Sequence, residues 1–282
     1  MTLLVDTDWL AEHRDEVDVI DVRWSSVDGT PAAIRNFEAG HLPGAVLLDV
    51  DRDLAGDPVE GPGRHPLPSP EAFARMLGVA GIGGDRLVVA YDDAGGSFAA
   101  RLWWMLESTG RDCALLDGGL GAWPGPLETG ATPPRRVVEV EPRPWPADRL
   151  VDADAVLAGL RGGEVTVLDV RAADRYRGAV EPFDPVAGHI PGARSAPWTD
   201  NLEEDGRFRS AEQLRARFAA IGVGDRARTI AQCGSGVTAC HELFALRLAG
   251  LGDARLYEGS WSDWVRDPTR PVATGDAPGS LA

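Results

Sequence analysis

The chain has 282 residues, enough for two compact domains with their own cores, and 28 basic against 44 acidic residues give it a formal charge of −16. That charge disfavours nucleic acid and anionic membrane surfaces as partners, and the complete absence of lysine excludes a Schiff-base lysine and a P-loop lysine. Three widely spaced cysteines make neither a disulfide framework nor a metal-ligand cluster, so neither a metal nor a cofactor is expected.

The N-terminus carries Asp6, Asp8 and Glu12 and lacks the basic segment and apolar run of an export signal. No stretch approaches the ~18 apolar residues of a membrane span, so a cytoplasmic protein is expected. Residues 17–22 read as a buried strand, 70–77 as a helix, 87–91 as a strand and 98–106 as a helix. Residues 128–146, with Pro133, Pro134, Pro142, Pro144 and Pro146, cannot form a regular helix and read as an extended linker. The alternation then resumes: 165–170 strand, 211–218 helix, 229–232 strand, 237–248 helix. Strands alternating with helices imply an α/β fold with a mainly parallel sheet.

The chain also repeats itself. Asp21-Val22-Arg23 recurs as Asp169-Val170-Arg171, and Ala39-Gly40-His41-Leu42-Pro43-Gly44-Ala45 as Ala187-Gly188-His189-Ile190-Pro191-Gly192-Ala193. Gly83-Gly84-Asp85-Arg86 matches Val223-Gly224-Asp225-Arg226, and Leu116-Asp117-Gly118-Gly119 with Trp123 matches Tyr257-Glu258-Gly259-Ser260 with Trp264. Four blocks in one order mean two copies of one domain, expected at 1–127 and 149–282 with a Pro-rich linker over 128–148. His41 and His189 occupy matching blocks in both copies, which suits a shared folding role.

The second copy holds the chemistry. A strand ending at Gln232 runs into Cys233-Gly234-Ser235-Gly236-Val237-Thr238-Ala239 and then a helix. Gly234 and Gly236 let the backbone curl so that successive N–H groups face one atom, and the helix N-terminus behind adds its positive end. A sulfur so held is favoured as the thiolate, the nucleophilic form. Burial as an inert core cysteine is the competing reading, and the Gly-spaced loop weighs against it. In the first copy the matching stretch is Asp93-Ala94-Gly95-Gly96-Ser97-Phe98-Ala99, with Asp93 aligned on Cys233. Aspartate cannot carry sulfur, so the first domain is expected to be non-catalytic. Cys113 reads as core, and Cys240 as too far along the next helix to act as a resolving thiol.

The Cys-Gly-Ser-Gly-Val-Thr-Ala loop, the two Gly-His-(Leu/Ile)-Pro-Gly-Ala blocks and Gly259-Ser260-Trp261-Ser262-Asp263-Trp264 resemble the signatures of the tandem-rhodanese sulfurtransferases, the loop being of the 3-mercaptopyruvate type. The resemblance covers nearly the whole chain and implies two rhodanese-like domains, the second catalytic. It also implies a Cys233 persulfide, with Ser235 catalytic and Gly234, Gly236, Val237 and Thr238 binding the substrate. Arg175 matches the arginine that grips the substrate anion, a role suited to a bidentate guanidinium. Asp51, His65 and Ser235 match a Ser-His-Asp relay; His65 reads equally as a structural histidine. Family members often carry a second arginine shortly before the Gly-His-Ile-Pro block, but residues 181–186 hold none, so Arg177 or an arginine elsewhere would have to supply it.

Three functions stay open on this reading: transfer of sulfur from 3-mercaptopyruvate to a thiol, thioredoxin or cyanide; thiosulfate sulfurtransferase activity; and an idle binding module. Thiosulfate-type loops carry basic side chains after the cysteine, and Gly234-Ser235-Gly236 carries none. A cysteine phosphatase needs an arginine six residues after its cysteine, where Ala239 stands.

Overall fold

The computed structural model describes residues 2–223, 228–252 and 254–281; most of the Val223-Gly224-Asp225-Arg226 repeat block lies outside them. The chain divides into two units. Unit 1 comprises Met1–Gly56, Leu67–Pro146 and Glu204–Arg207, and unit 2 comprises Asp57–Pro66, Ala147–Glu203 and Phe208–Ala282.

Unit 1 contains strands β1 (Leu4–Val5), β2 (Val17–Arg23), β3 (Val46–Asp49), β4 (Leu87–Tyr91) and β5 (Cys113–Leu116), joined through helices α1 (Thr7–His13), α2 (Gly29–Ala39), α3 (Val50–Asp53), α4 (Pro70–Val79) and α5 (Ala99–Ser108). The strands form one parallel sheet in the order β1-β5-β4-β2-β3. Every residue of β2 is buried, as a central strand covered on both faces requires. Val19, Phe37, Leu42, Val89 and Tyr91 pack into the core. Residues 128–146 form no helix, as their prolines dictate. The extended chain is pinned within unit 1 by Val138 N–H to the Gly78 carbonyl (3.1 Å) and Trp145 Nε1 to the Pro68 carbonyl (2.8 Å).

Unit 2 repeats the plan with β6 (Leu150–Val151), β7 (Thr166–Asp169), β8 (Arg194–Ser195), β9 (Thr229–Gln232) and β10 (Arg255–Tyr257), and with α6 (Ala153–Arg161), α7 (Ala173–Tyr176), α8 (Ala211–Ala220), α9 (Ala239–Leu248) and α10 (Ser260–Trp264). Its parallel sheet runs β6-β10-β9-β7-β8, the same order as in unit 1. Val156, Val167, Ile230, Trp261 and Trp264 fill the core. The matching histidines do matching work: His41 Nδ1 pairs with the Phe37 carbonyl (2.9 Å) and His189 Nδ1 with the Tyr176 carbonyl (2.8 Å), each ring stacked on that residue's own ring.

Asp6, Ser69, Asp152 and Ser210 cap α1, α4, α6 and α8 by accepting a backbone N–H. Helices α5 and α9, which follow β4 and β9, have no side-chain cap. Their first turns open onto the loops that matter most. Among the described residues no helix is long and apolar enough to cross a membrane.

Candidate active site

Cys233 follows β9 directly and is 2 % exposed. Its Sγ accepts hydrogen bonds from the backbone N–H of Gly236 (3.1 Å) and of Ser235 (3.5 Å). Gly236 makes this curl possible: its φ is +78°, and a Cβ there would stand 2.3 Å from the Glu258 carbonyl oxygen. Val237 and Thr238 continue the loop up to the first turn of the next helix. Helix α9 starts at Ala239, two residues later than the periodicity predicts, and their carbonyls accept the N–H groups of Cys240 and His241.

The Gly259-Ser260-Trp261-Ser262 block clamps the loop from behind. Cys233 N–H donates to Ser260 Oγ (3.0 Å), while Trp261 and Ser262 N–H donate to the carbonyls of Cys233 (3.0 Å) and Gly234 (2.9 Å). Ser260 holds a left-handed φ of 54°, uncommon for a residue with a side chain. Cys240 Sγ points to the Gly236 carbonyl (3.4 Å) and packs under the loop. Cys113 lies buried in β5, where burial pushes its thiol well up.

Charged side chains surround Cys233. Arg171 is buried, paired with Asp169 (2.6 Å) and Glu181 (3.2 Å), and seated 4.7 Å from the Trp261 ring. Burial opposes its charge, but Asp169, Glu181 and Cys233 together hold its pKa above the ordinary arginine value. Arg175, on α7, donates to Glu181 Oε1 (2.7 Å) and Oε2 (3.2 Å). Arg64 pairs with Asp184, and its backbone N–H donates to Ser262 Oγ (3.0 Å). Both guanidiniums reach the residue after the cysteine: a Cβ on Gly234 would stand 3.1 Å from Arg64 Nη2 and 3.3 Å from Arg175 Nη2. Arg177 points elsewhere, to Asp174 and Asp276. Besides Arg175, the guanidinium that reaches Gly234 is therefore that of Arg64.

His65 and Ser235 meet, with Nδ1 to Oγ at 2.7 Å. The segment that carries Arg64 and His65 is fixed within unit 2. Arg266 donates to the carbonyls of Pro58 (2.9 Å), Gly61 (2.8 Å) and Gly63 (2.6 Å). Asp51 lies in α3 of unit 1, where its Oδ1 accepts the Trp24 indole N–H (2.9 Å).

One alignment needs correction. Asp21 pairs with Tyr91 across β2 and β4, and Asp169 with Gln232 across β7 and β9, so the counterpart of Cys233 is Asp92 and not Asp93. Asp92 is fully buried; Oδ1 accepts from the N–H of Ala94 and Gly96 (both 2.8 Å), and Oδ2 from Phe98 (2.8 Å) and Ala99 (2.9 Å). Burial pushes its pKa up against the pull of those donors. Asp93 instead pairs with Arg23 at a half-exposed position.

Sequence reasoning missed Arg64, Arg171, Glu181 and Asp184 as site residues. Arg64 was signalled only by adjacency to His65, and Arg171 stood in view as part of a repeat block. Among the described residues no group of three or more His, Cys, Asp or Glu side chains could hold a metal.

Comparison with known proteins adds a second line of evidence. The Rhodanese-like domain family matches residues 6–125 and again 152–267. A protein of Pseudomonas aeruginosa named "Probable 3-mercaptopyruvate sulfurtransferase" is 48 % identical, over 95 % of this chain and 96 % of its own. A Mycobacterium tuberculosis protein provisionally named thiosulfate sulfurtransferase SseB is 41 % identical over 95 % of this chain and 94 % of its own. Among solved structures, the Escherichia coli 3-mercaptopyruvate sulfurtransferase SseA superposes with a TM-score of 0.81 at 34 % identity, covering 93 % of this chain and 100 % of SseA.

Proposed function

The chain belongs to the rhodanese family and is a sulfurtransferase with two rhodanese domains, and from that premise we propose that it moves a sulfane sulfur from 3-mercaptopyruvate, through a persulfide on Cys233, to a thiol or cyanide acceptor. The observation that carries this reading is one loop bearing both a sulfur bound by backbone N–H groups and a hydroxyl bonded to an imidazole.

The Cys233 thiolate attacks the sulfur of mercaptopyruvate. The carbon–sulfur bond breaks, its electron pair passes to the departing carbon, and pyruvate enolate forms. The donor's thiol proton is the one that carbon needs. Ser235 and His65, in hydrogen-bond contact at 2.7 Å, are suited to carry it. The products are pyruvate and a Cys233 persulfide anion, whose outer sulfur takes the place of the thiolate near the N–H groups of Ser235 and Gly236. An acceptor thiolate, on a small molecule or on thioredoxin, or cyanide then attacks that outer sulfur and frees Cys233 as thiolate. Arg175 and Arg64 are placed to bind the donor carboxylate through charge-assisted bonds.

A second reading, thiosulfate as donor, is favoured by the two guanidiniums over Gly234, since they suit a dianion. Steady-state kinetics with both donors decides between them. The proposal expects the higher kcat/KM with mercaptopyruvate, and a preference for thiosulfate overturns that choice of donor. Mass spectrometry of the protein after mixing with donor alone checks the intermediate: one added sulfur on Cys233 is expected.

A further inference from the structure

Asp184 stands apart from the other acids around Cys233. Glu181 is fully engaged, holding Arg171 and Arg175 with its two oxygens and accepting the Phe183 N–H (3.2 Å). Asp169 is tied to Arg171 at its own strand end. Asp184 is just as buried, with 4 % of its side chain exposed, yet only Oδ1 makes a hydrogen bond, to Arg64 Nη1. Its Oδ2 is buried without a hydrogen bond and lies 3.7 Å from Arg175 Nη2. The carboxylate thus sits beside the two guanidiniums that reach Gly234, and Phe183 carries both cations near its ring, at 5.6 Å for Arg64 and 5.1 Å for Arg175.

The charge arithmetic follows. Arg64, Arg171 and Arg175 face Asp184, Asp169 and Glu181, so the fixed charges balance before the thiolate or a donor arrives. Each negative charge a donor brings is then an excess in a site whose three acids are nearly buried, where screening is weaker than in bulk water. A monoanion adds one and a dianion two. Charge cannot readily be added at Gly234, where a new side chain would press on Arg64 and Arg175 at 3.1 and 3.3 Å. The side chain that sets the balance without touching the loop is Asp184.

We propose that Asp184 is a specificity-determining counter-ion: by partly neutralising Arg64 and Arg175 beside Cys233, it favours donors with a single negative charge over dianions. The proposal rests on the assignment of Cys233 as the sulfur carrier. It treats Asp184 as a positioning residue that acts through the two arginines, without contact to the donor. Burial is the largest influence on this carboxyl and pushes its pKa up, the direction expected of a carboxylate whose partners do not fully compensate it.

The test compares kcat/KM for mercaptopyruvate and thiosulfate in the wild type, Asp184→Asn and Asp184→Glu. Removing one charge at this range should raise the thiosulfate-to-mercaptopyruvate ratio about tenfold in Asp184→Asn, while Asp184→Glu, which keeps the charge, should stay near the wild-type ratio. A merely structural role would lower both donors together; an unchanged ratio in Asp184→Asn, or an equal shift in Asp184→Glu, overturns the proposal. If Asp184→Asn does not fold, the wild type still answers. Pyruvate should then inhibit sulfur transfer more strongly than sulfate, and stronger inhibition by sulfate overturns the idea. Persulfide formation on wild-type Cys233, read by mass, separates the two levels: its absence sinks the carrier assignment, whereas its presence with an unmoved donor ratio sinks only the role of Asp184.

Discussion

Strands β4 and β9 each run into a loop whose backbone N–H groups converge on its first residue, and that residue differs between the two units. In unit 1 the Asp92 carboxyl gathers the N–H groups of Ala94, Gly96, Phe98 and Ala99, so the loop closes on its own acceptor oxygens. In unit 2 the Cys233 sulfur receives the N–H groups of Ser235 and Gly236, and sulfur is a centre that can accept and release a further atom. The clamps differ as well. Gly119 has no room for a side chain, since a Cβ would meet the Asp92 carbonyl at 2.4 Å, whereas Ser260 bears one in a left-handed conformation and uses it to accept the Cys233 N–H. Both loops gather backbone N–H groups, and they differ in the atom that receives them.

The sharpest way to break this comparison is to remove the sulfur. Cys233→Ser should abolish transfer from either donor, because a serine hydroxyl forms no persulfide, whereas Cys113→Ser and Cys240→Ser should keep most turnover. Thiocyanate production with cyanide as acceptor reads all three, and substantial turnover by Cys233→Ser would end the central claim. The reciprocal change belongs to stability. Asp92→Asn turns an NH₂ group toward backbone donors that the carboxylate now accepts, and should cost about 3 kcal/mol by the loss of charge-assisted bonds to a buried group. Denaturant unfolding measures it; a cost below about 1 kcal/mol would mean that the carboxylate does not organise its loop.

Smaller effects sharpen the picture around Cys233. Arg175→Ala should lower kcat/KM by about ten- to a hundred-fold, mainly through KM, since the contact is made in ground and transition states alike. Glu181 keeps Arg171 at 3.2 Å, so the variant should still fold. Unchanged kinetics with both donors would place the anion grip elsewhere. Ser235→Ala should have the mildest effect, about tenfold on mercaptopyruvate and less on thiosulfate, whose leaving group needs no proton at carbon. Equal loss with both donors would remove Ser235 from proton delivery.

Much of this was legible beforehand because repetition amplifies weak signals. The Asp-Val-Arg and Gly-His-Pro-Gly blocks mark equivalent strand ends and stacked histidines, and the Gly-spaced loop after Gln232 announces a sulfur cradle. Strand register was not legible. In the glycine-rich stretch after Tyr91, Asp93 and Asp92 align about equally well on Cys233, and only the pairing of Asp21 with Tyr91 decides. The surrounding charges were hidden for a different reason. Arg64 reaches Gly234 from far along the chain, and a contact at such separation leaves no periodicity to read. Glu181 and Asp184 drew notice only as a segment without an arginine, although that segment supplies the counter-ions of the site.

Gly63 carries a consequence for how this protein can be dissected. Its φ is +73°, and a Cβ would stand 2.4 Å from the Gly259 carbonyl, so the segment bearing Arg64 and His65 lies against the backbone next to Ser260. The unit that holds Cys233 is therefore discontinuous in the gene: Asp57–Pro66 is encoded well upstream of the remainder. A fragment begun at the proline-rich stretch would keep Cys233 and lose one guanidinium and the imidazole partner of Ser235. Gene fusion or recombination at that stretch, the natural seam by sequence, would transfer the Cys233 loop without two of the side chains that reach it.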